Sequence, residues 1–120
     1  MNKKTVVVGV STNPERYSYK AVESLLKHQF EVVPIGIKQG EIFGLKILND
    51  FPLINDVHTV TLYVGKANQS TIIDYVLKLK PRRVIFNPGT ENIEFENLLK
   101  QAGIEVEIAC TLVLLSIGKY

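Results

Sequence analysis

The chain predicts a doubly wound α/β fold: a mostly parallel five-stranded sheet with helices on both faces, in a single domain over residues 1–120. Three observations carry that expectation. Apolar β-branched runs alternate with stretches of helical period. The first run, Thr5 to Val10, is nearly all valine and lacks polar alternation, as a strand buried on both faces does. Most of the turns that follow strands are rich in Gly, Ser, Thr and Asn. Parallel neighbours need a crossover, and crossovers are right-handed, so this alternation implies helices on both sides of one sheet.

Taken in order, the first strand drops through Gly9 into Ser11, Thr12, Asn13 and Pro14. From Ser18 to His28, Ala21, Val22, Leu25 and Leu26 recur at helical spacing, with Lys20, Glu23 and Lys27 on the other side. Phe30 to Ile35 reads as the second strand, and residues 38–56 as mostly loop, with Ile47 and Leu48 able to add a short strand. Val57 to Val64 is the third main strand, followed by a helix from about Asn68 to Leu79 that has ended before Pro81. Val84 to Phe86 is the fourth strand, and Pro88 and Gly89 suit the central positions of a type II turn. Thr90 is expected to cap the next helix, with Glu91 and Glu94 in its first turn and Gly103 terminating it. Ile104 to Ile108 is the fifth strand, and Leu112, Val113, Leu115 and Ser116 fit a short final helix.

Composition excludes several classes of function. A net charge of +2 with scattered basic residues gives no dense basic face for nucleic acid. The longest apolar stretch, Ile108 to Ile117, is broken by Thr111 and Ser116 and falls short of the roughly 18 residues of a membrane span. One cysteine leaves no intrachain disulfide, and the first residues lead straight into a strand rather than an apolar leader, so a cytoplasmic location is expected. An uncovered sheet edge and an apolar ending make a homodimer plausible.

In an open parallel sheet, ligands bind outside the carboxyl ends of the strands, where strand order reverses. The turns expected there are Gly9 to Tyr17, Pro34 to Lys38, Tyr63 to Asn68 and Asn87 to Asn92. Gly9 lets backbone approach an anion without a Cβ, and the free N–H groups of the following helix point at it. Arg16, Lys38 and Lys66 fall on this edge, whereas Arg82 and Arg83 precede their strand and belong at the opposite one.

What is missing narrows the nucleotide. A dinucleotide fingerprint wants three spaced glycines and an acid about 20 residues further on. Here the three positions are Gly9, Ser11 and Pro14, and the second strand ends in Gly36, Ile37 and Lys38, with Glu31 at its other end. NAD is disfavoured. A lysine in place of the acid suits a phosphorylated ribose, which both coenzyme A and NADP carry. No P-loop follows the first strand.

Four segments also carry a resemblance: VGVSTNPERYS (Val8 to Ser18), TVTLYVG (Thr59 to Gly65), FNPGTEN (Phe86 to Asn92) and ACTLVLL (Ala109 to Leu115). In that order they resemble the small stand-alone CoA-binding domain proteins, similar in fold to the CoA-binding domain of the succinyl-CoA synthetase α subunit. The resemblance implies a Rossmann-like domain that binds coenzyme A or an acyl-CoA. Its contacts would come from Gly9, Ser11, Thr12, Asn13 and Arg16, from Pro34 and Lys38, from Tyr63 and Val64, and from Asn87, Pro88 and Gly89. Many relatives have Asn and Pro where this chain has Gly36 and Ile37. The chain lacks the phosphohistidine segment of a synthetase, and ligase activity does not follow.

Other candidates for chemistry are few. Tyr17 and Tyr63 join the candidate set as rings able to stack on adenine or line a pantetheine channel. Cys110 is either a packed small hydrophobe or a thiol within reach of the pantetheine sulfur. His28 and His58 have no metal-ligand spacing, and no nucleophile is paired with a base. The expected function is a non-catalytic CoA carrier, sensor or subunit. The alternatives are an NAD(P)-binding or CoA-dependent enzyme, and an interaction protein with a vestigial nucleotide site.

Overall fold

The computed structural model describes residues 3–120. Its main sheet is built from β1 (Thr5–Val8), β2 (Val32–Ile35), β5 (Thr59–Leu62), β6 (Arg83–Phe86) and β7 (Glu105–Ile108). The spatial order is β2-β1-β5-β6-β7, with every pairing parallel. The helices are α1 (Tyr17–Lys27), α2 (Ser70–Leu79), α3 (Ile93–Gln101) and α4 (Thr111–Ser116), with a 3-10 turn at Lys66–Asn68. This is the doubly wound, Rossmann-like α/β arrangement. The chain steps from β1 outward to β2, then returns to build the other side from β5, so strand order reverses between β1 and β5.

Strand alternation gives the sheet two dissimilar faces. Val6, Val8, Val60, Leu62, Val84 and Phe86 pack with Ile72, Val76 and Leu79 of α2 and Phe95 and Leu99 of α3 into a fully apolar layer. The Phe86 and Phe95 rings meet edge to face at 5.3 Å. On the other face Val7 packs with Val22 and Leu25 of α1 and Leu115 of α4. Its neighbours Thr5, Thr59, Thr61 and Arg83 are polar and buried, each on the alternate position of its strand. All four strand residues of β1 are buried, as the unbroken valine run predicts.

The region between β2 and β5 departs from the expected loop. Glu41–Ile42 (β3) and Leu45–Lys46 (β4) form an antiparallel hairpin, and Ile35 bridges Leu48. Phe43 and Gly44 both have positive φ, 51° and 80°, the backbone signs of a type I′ turn. Strands of two residues cannot display a period, and a phenylalanine at a left-handed position hides the turn from composition. The Phe43 ring rests 4.9 Å from that of Tyr19 on α1, and Ile42 and Ile47 are buried.

Pro34 lies inside β2, paired with Val7, rather than in the turn after it. Its carbonyl accepts from Leu48 N at 3.0 Å, and Gly36 N donates to Leu48 O at 3.1 Å, so the segment at Leu48 runs along the outer edge of β2. Thr90 does not cap α3. Asn92 does, its side chain accepting from Phe95 N, while Thr90 Oγ1 donates to Asn87 O. The first turn of α3 accordingly carries Glu94 and Glu96 rather than Glu91 and Glu94. The α4 helix begins at Thr111, close to expectation.

Arg83 lies at the edge remote from the carboxyl ends of the strands, and it is only 7% exposed. Its guanidinium meets Glu107 at 3.3 Å, donates to Thr59 Oγ1 at 3.1 Å and lies 4.5 Å from the Tyr120 ring centre. His58 stands beside it. Burial, then the positive charges of Arg83, Lys3 and Arg82, hold the imidazole below its ordinary 6.5. The folded chain therefore takes up this proton less readily than the unfolded chain. The sign follows: stability is retained above about 6.5 and declines as pH falls below it. His58→Gln is expected to flatten the fall in thermal midpoint between about pH 7 and pH 5, and an unchanged slope would remove His58 as its source.

Candidate functional site

A cleft of about 590 Å³ opens at the carboxyl ends of the strands, over the reversal between β1 and β5. It is lined by the turn after β1 (Gly9 to Asn13), the start of α1 (Arg16 to Ser18), Ile37 and Lys38 after β2, Ile47 after the hairpin, Tyr63 and Gly65 after β5, and Pro88 to Thr90 after β6. Its polar walls carry two cations, Arg16 and Lys38, and no carboxylate is among the lining residues. Val10, Ile37, Ile47, Tyr63 and Pro88 supply apolar surface.

Local chemistry shapes the first turn. Gly9 has φ +97°, and a Cβ there would lie 2.9 Å from Tyr63 O and 2.8 Å from Val64 Cγ2. Only glycine lets the β1 and β5 exits pack so closely. Ser11 Oγ accepts from Asn13 N, Asn13 Oδ1 accepts from Glu15 N, and Ser18 Oγ accepts from Ser11 N. These short side chains fold the turn back onto α1. The helix itself begins at Tyr17, with Arg16 in the N-cap position and no side-chain cap, so the N–H groups of its first turn lack an intrahelical partner at the cleft.

The second wall is held by a residue that motif reasoning missed. Asn49 Nδ2 donates to Gly36 O at 2.8 Å and Lys38 O at 3.0 Å, fixing the Lys38 loop. A Cβ on Gly36 would come within 2.7 Å of Val10 O, so the close approach of this loop to the turn after β1 depends on the glycine. Gly40 approaches Thr12 in the same way, with 2.8 Å between its Cβ position and Thr12 Cγ2.

Two buried amides organise the third and fourth turns. Asn87 Nδ2 donates to Thr61 Oγ1 at 2.6 Å and Leu62 O at 2.8 Å, and its Oδ1 accepts from Thr111 N at 2.8 Å. Gln69 Nε2 donates to Val64 O at 2.8 Å and Thr90 O at 2.7 Å, and its Oε1 accepts from Asn92 Nδ2 at 2.9 Å. Pro88 and Gly89 occupy the centre of a turn closed by Thr90 N to Asn87 O, with Gly89 at φ +93° as a type II turn requires. Glu91 accepts from Gly89 N at 2.9 Å.

Of the candidates named from sequence, Gly9, Ser11, Thr12, Asn13, Arg16, Tyr17, Lys38, Tyr63, Pro88 and Gly89 come together on this cleft. Four do not line it. Pro34 is a strand residue because β2 runs on to Ile35. Val64 turns under Gly9 and packs against the apolar layer. Lys66 is exposed on the 3-10 turn. Asn87 is buried, with its amide spent on the framework. Sequence reading missed Val10, Ser18, Ile37, Ile47, Gly65 and Thr90 as lining residues.

Tyr63 is one of the lining residues, and its hydroxyl is buried. Burial raises its pKa far above the usual phenol range. Cys110 is half-buried at the start of α4, outside the cleft lining. His28 ends α1 and His58 lies at the far edge of the sheet. The described residues contain no His, Cys, Asp and Glu group able to hold a metal, and no helix long and apolar enough to cross a membrane.

Comparison with known proteins adds three structural relatives. A crystal structure of an uncharacterized protein is 49% identical, over 100% of this chain and 99% of that one, with a TM-score of 0.98. A conserved hypothetical protein from Pyrococcus furiosus is 29% identical over 88% of this chain and 91% of its own, with a TM-score of 0.77. The dinucleotide-forming acetyl-coenzyme A synthetase 1 of Ca. Korarchaeum cryptofilum, solved with phosphate and ADP, shares 21% identity and a TM-score of 0.72. The match covers 87% of this chain but 25% of the synthetase, a likeness of fold alone. Curated proteins give no match. The model of the CoA binding domain family matches residues 3–116, nearly the whole chain. With its parallel sheet and its cleft over the strand-order reversal, the chain belongs to the CoA-binding domain family.

Proposed function

We propose that this cleft binds coenzyme A or an acyl-CoA, and that the protein works as a carrier, sensor or subunit without turning the ligand over. One observation carries the reading: Arg16, Lys38 and the uncapped start of α1 face one cleft whose lining holds no carboxylate. A pyrophosphate fits the first turn, where backbone N–H groups and Arg16 converge. A ribose phosphate fits Lys38, on the loop after β2. The pantetheine arm then leaves along Tyr63, Gly65, Pro88 and Gly89, where the walls become apolar or glycine-lined.

The lack of turnover rests on where the reactive side chains lie. His28, His58 and Cys110 stand outside the lining, and the serines and threonines of the lining, Ser11, Thr12, Ser18 and Thr90, have no histidine beside them in it. NADP shares the phosphorylated ribose and is the competing ligand.

A thermal-shift panel of CoA, dephospho-CoA, NADP and NAD separates these ligands. A ligand at 100 times its dissociation constant stabilises by about 2.7 kcal/mol, enough to read directly. CoA is expected to give the largest shift, and a larger response to NADP would reverse the assignment. Lys38→Ala should weaken CoA by about tenfold and leave dephospho-CoA nearly unchanged, since the side chain then has no phosphate to lose. Equal losses for both ligands would place the 3′-phosphate elsewhere.

A further inference from the structure

We propose that Gln69 is a positioning residue that sets the separation of the third and fourth cleft loops, and through it the fit of the pantetheine arm; this rests on the CoA reading above. Gln69 is 0% exposed, unusual for a long polar side chain, and it is the N-cap residue of α2 although its side chain makes no cap bond. Its amide reaches sideways instead. Nε2 donates to Val64 O, next to Gly65, and to Thr90 O, next to Gly89. Both bonds come from one nitrogen, so the two loops are tied to a single atom.

Behind that nitrogen stands a second amide that fixes its orientation. Asn92 Nδ2 donates to Gln69 Oε1, so the oxygen of Gln69 points at Asn92 and the nitrogen at the two carbonyls. Asn92 is itself held as the cap of α3, with Oδ1 accepting from Phe95 N and its backbone N–H donating to Glu96. The loops are therefore tied to the starts of α2 and α3, rigid elements of the apolar layer. Where they face the cleft they come close: a Cβ on Gly65 would lie 3.9 Å from Gly89 O. A shift of either loop would change the passage between them directly.

The chemistry of the pair suggests a mild disruption. Asn92→Asp keeps the oxygen that caps Phe95 N but replaces the Nδ2 donor with an acceptor. Gln69 Oε1 would then face a carboxylate, and the amide would rotate to present Nε2 to it, turning its own oxygen toward Val64 O and Thr90 O. Both loop bonds are lost with almost no change in volume. Gln69→Leu removes the same bonds by a harsher route.

The test uses calorimetry with CoA and with adenosine 3′,5′-bisphosphate, which has the phosphorylated ribose but no pantetheine. Hydrogen exchange on the ligand-free protein accompanies it. In Asn92→Asp, CoA affinity is expected to fall about tenfold while the bisphosphate changes by less than about twofold. Amide exchange at Gly65–Lys66 and at Thr90–Glu91 should quicken together. A merely structural role would weaken both ligands in proportion, and that result overturns the proposal, as does CoA binding within about twofold of wild type in both variants. Wild-type protein that binds neither ligand refutes the CoA reading, and the exchange data then judge the clamp separately: acceleration in one loop alone, or in neither, overturns it.

Discussion

Gly9→Ala is expected to abolish measurable CoA binding and to lower the unfolding free energy by about 3 kcal/mol. Two costs combine. An L-residue at φ +97° is strained by roughly 1–2 kcal/mol, and a methyl placed 2.8 to 2.9 Å from Val64 Cγ2 and Tyr63 O adds an overpacking cost of similar size. The contact with Tyr63 is with backbone, so no flexible side chain can yield there. Relief requires the β1 exit to swing away from the β5 exit, which carries Ser11 to Asn13 out of register with Lys38. Thermal denaturation should show a fall of roughly 10 °C, with no further shift on adding CoA. A variant that melts with the wild type and still responds to CoA would show that the two exits can separate without cost.

Asn87→Ala is expected to be comparably harmful to stability. Truncation strands Leu62 O and Thr111 N, both of which now meet the Asn87 amide at 2.8 Å, in a buried setting. Each unsatisfied buried group costs on the order of 1–3 kcal/mol, so a total of about 4 kcal/mol is a middle figure for the two. Because Thr111 starts α4, that helix should loosen first, and Cys110 beside it should become more reactive to a thiol reagent. Titration of Cys110 in native buffer, alongside the melting curve, checks both parts. Slow thiol reaction equal to wild type would mean that Leu114, Leu115 and the 2.7 Å contact between the Thr111 and Thr61 hydroxyls seat the helix without Asn87.

The contrast between Gly9 and Gln69 shows what the sequence could reveal. Gly9 announces itself through its local setting, although the Tyr63 and Val64 atoms that demand a glycine lie far along the chain: a strand ends, a small-residue turn follows, and a helix begins within eight residues. The same locality made the turn at Pro88 and Gly89 legible. Gln69 was invisible because its partners Thr90 and Asn92 lie 21 and 23 positions away, brought close only by the parallel pairing of β5 with β6. Asn87 was correctly placed on the right edge of the sheet, yet its side chain turned inward, since pattern fixes which edge a residue occupies but not where its amide points. The hairpin at Glu41–Lys46 was hidden by brevity, and Pro34 by a strand end that no periodicity could mark to the residue.

The two rims of the main sheet are defended by different means. On the β2 side, a proline that offers no N–H and a neighbouring segment at Leu48 leave little for an incoming chain to pair with. On the β7 side no strand lies beyond among the described residues, but the exposed Glu105 puts a charge on that edge, which an added strand would have to accommodate. Each rim thus carries a feature that makes growth of the sheet by a further strand less favourable.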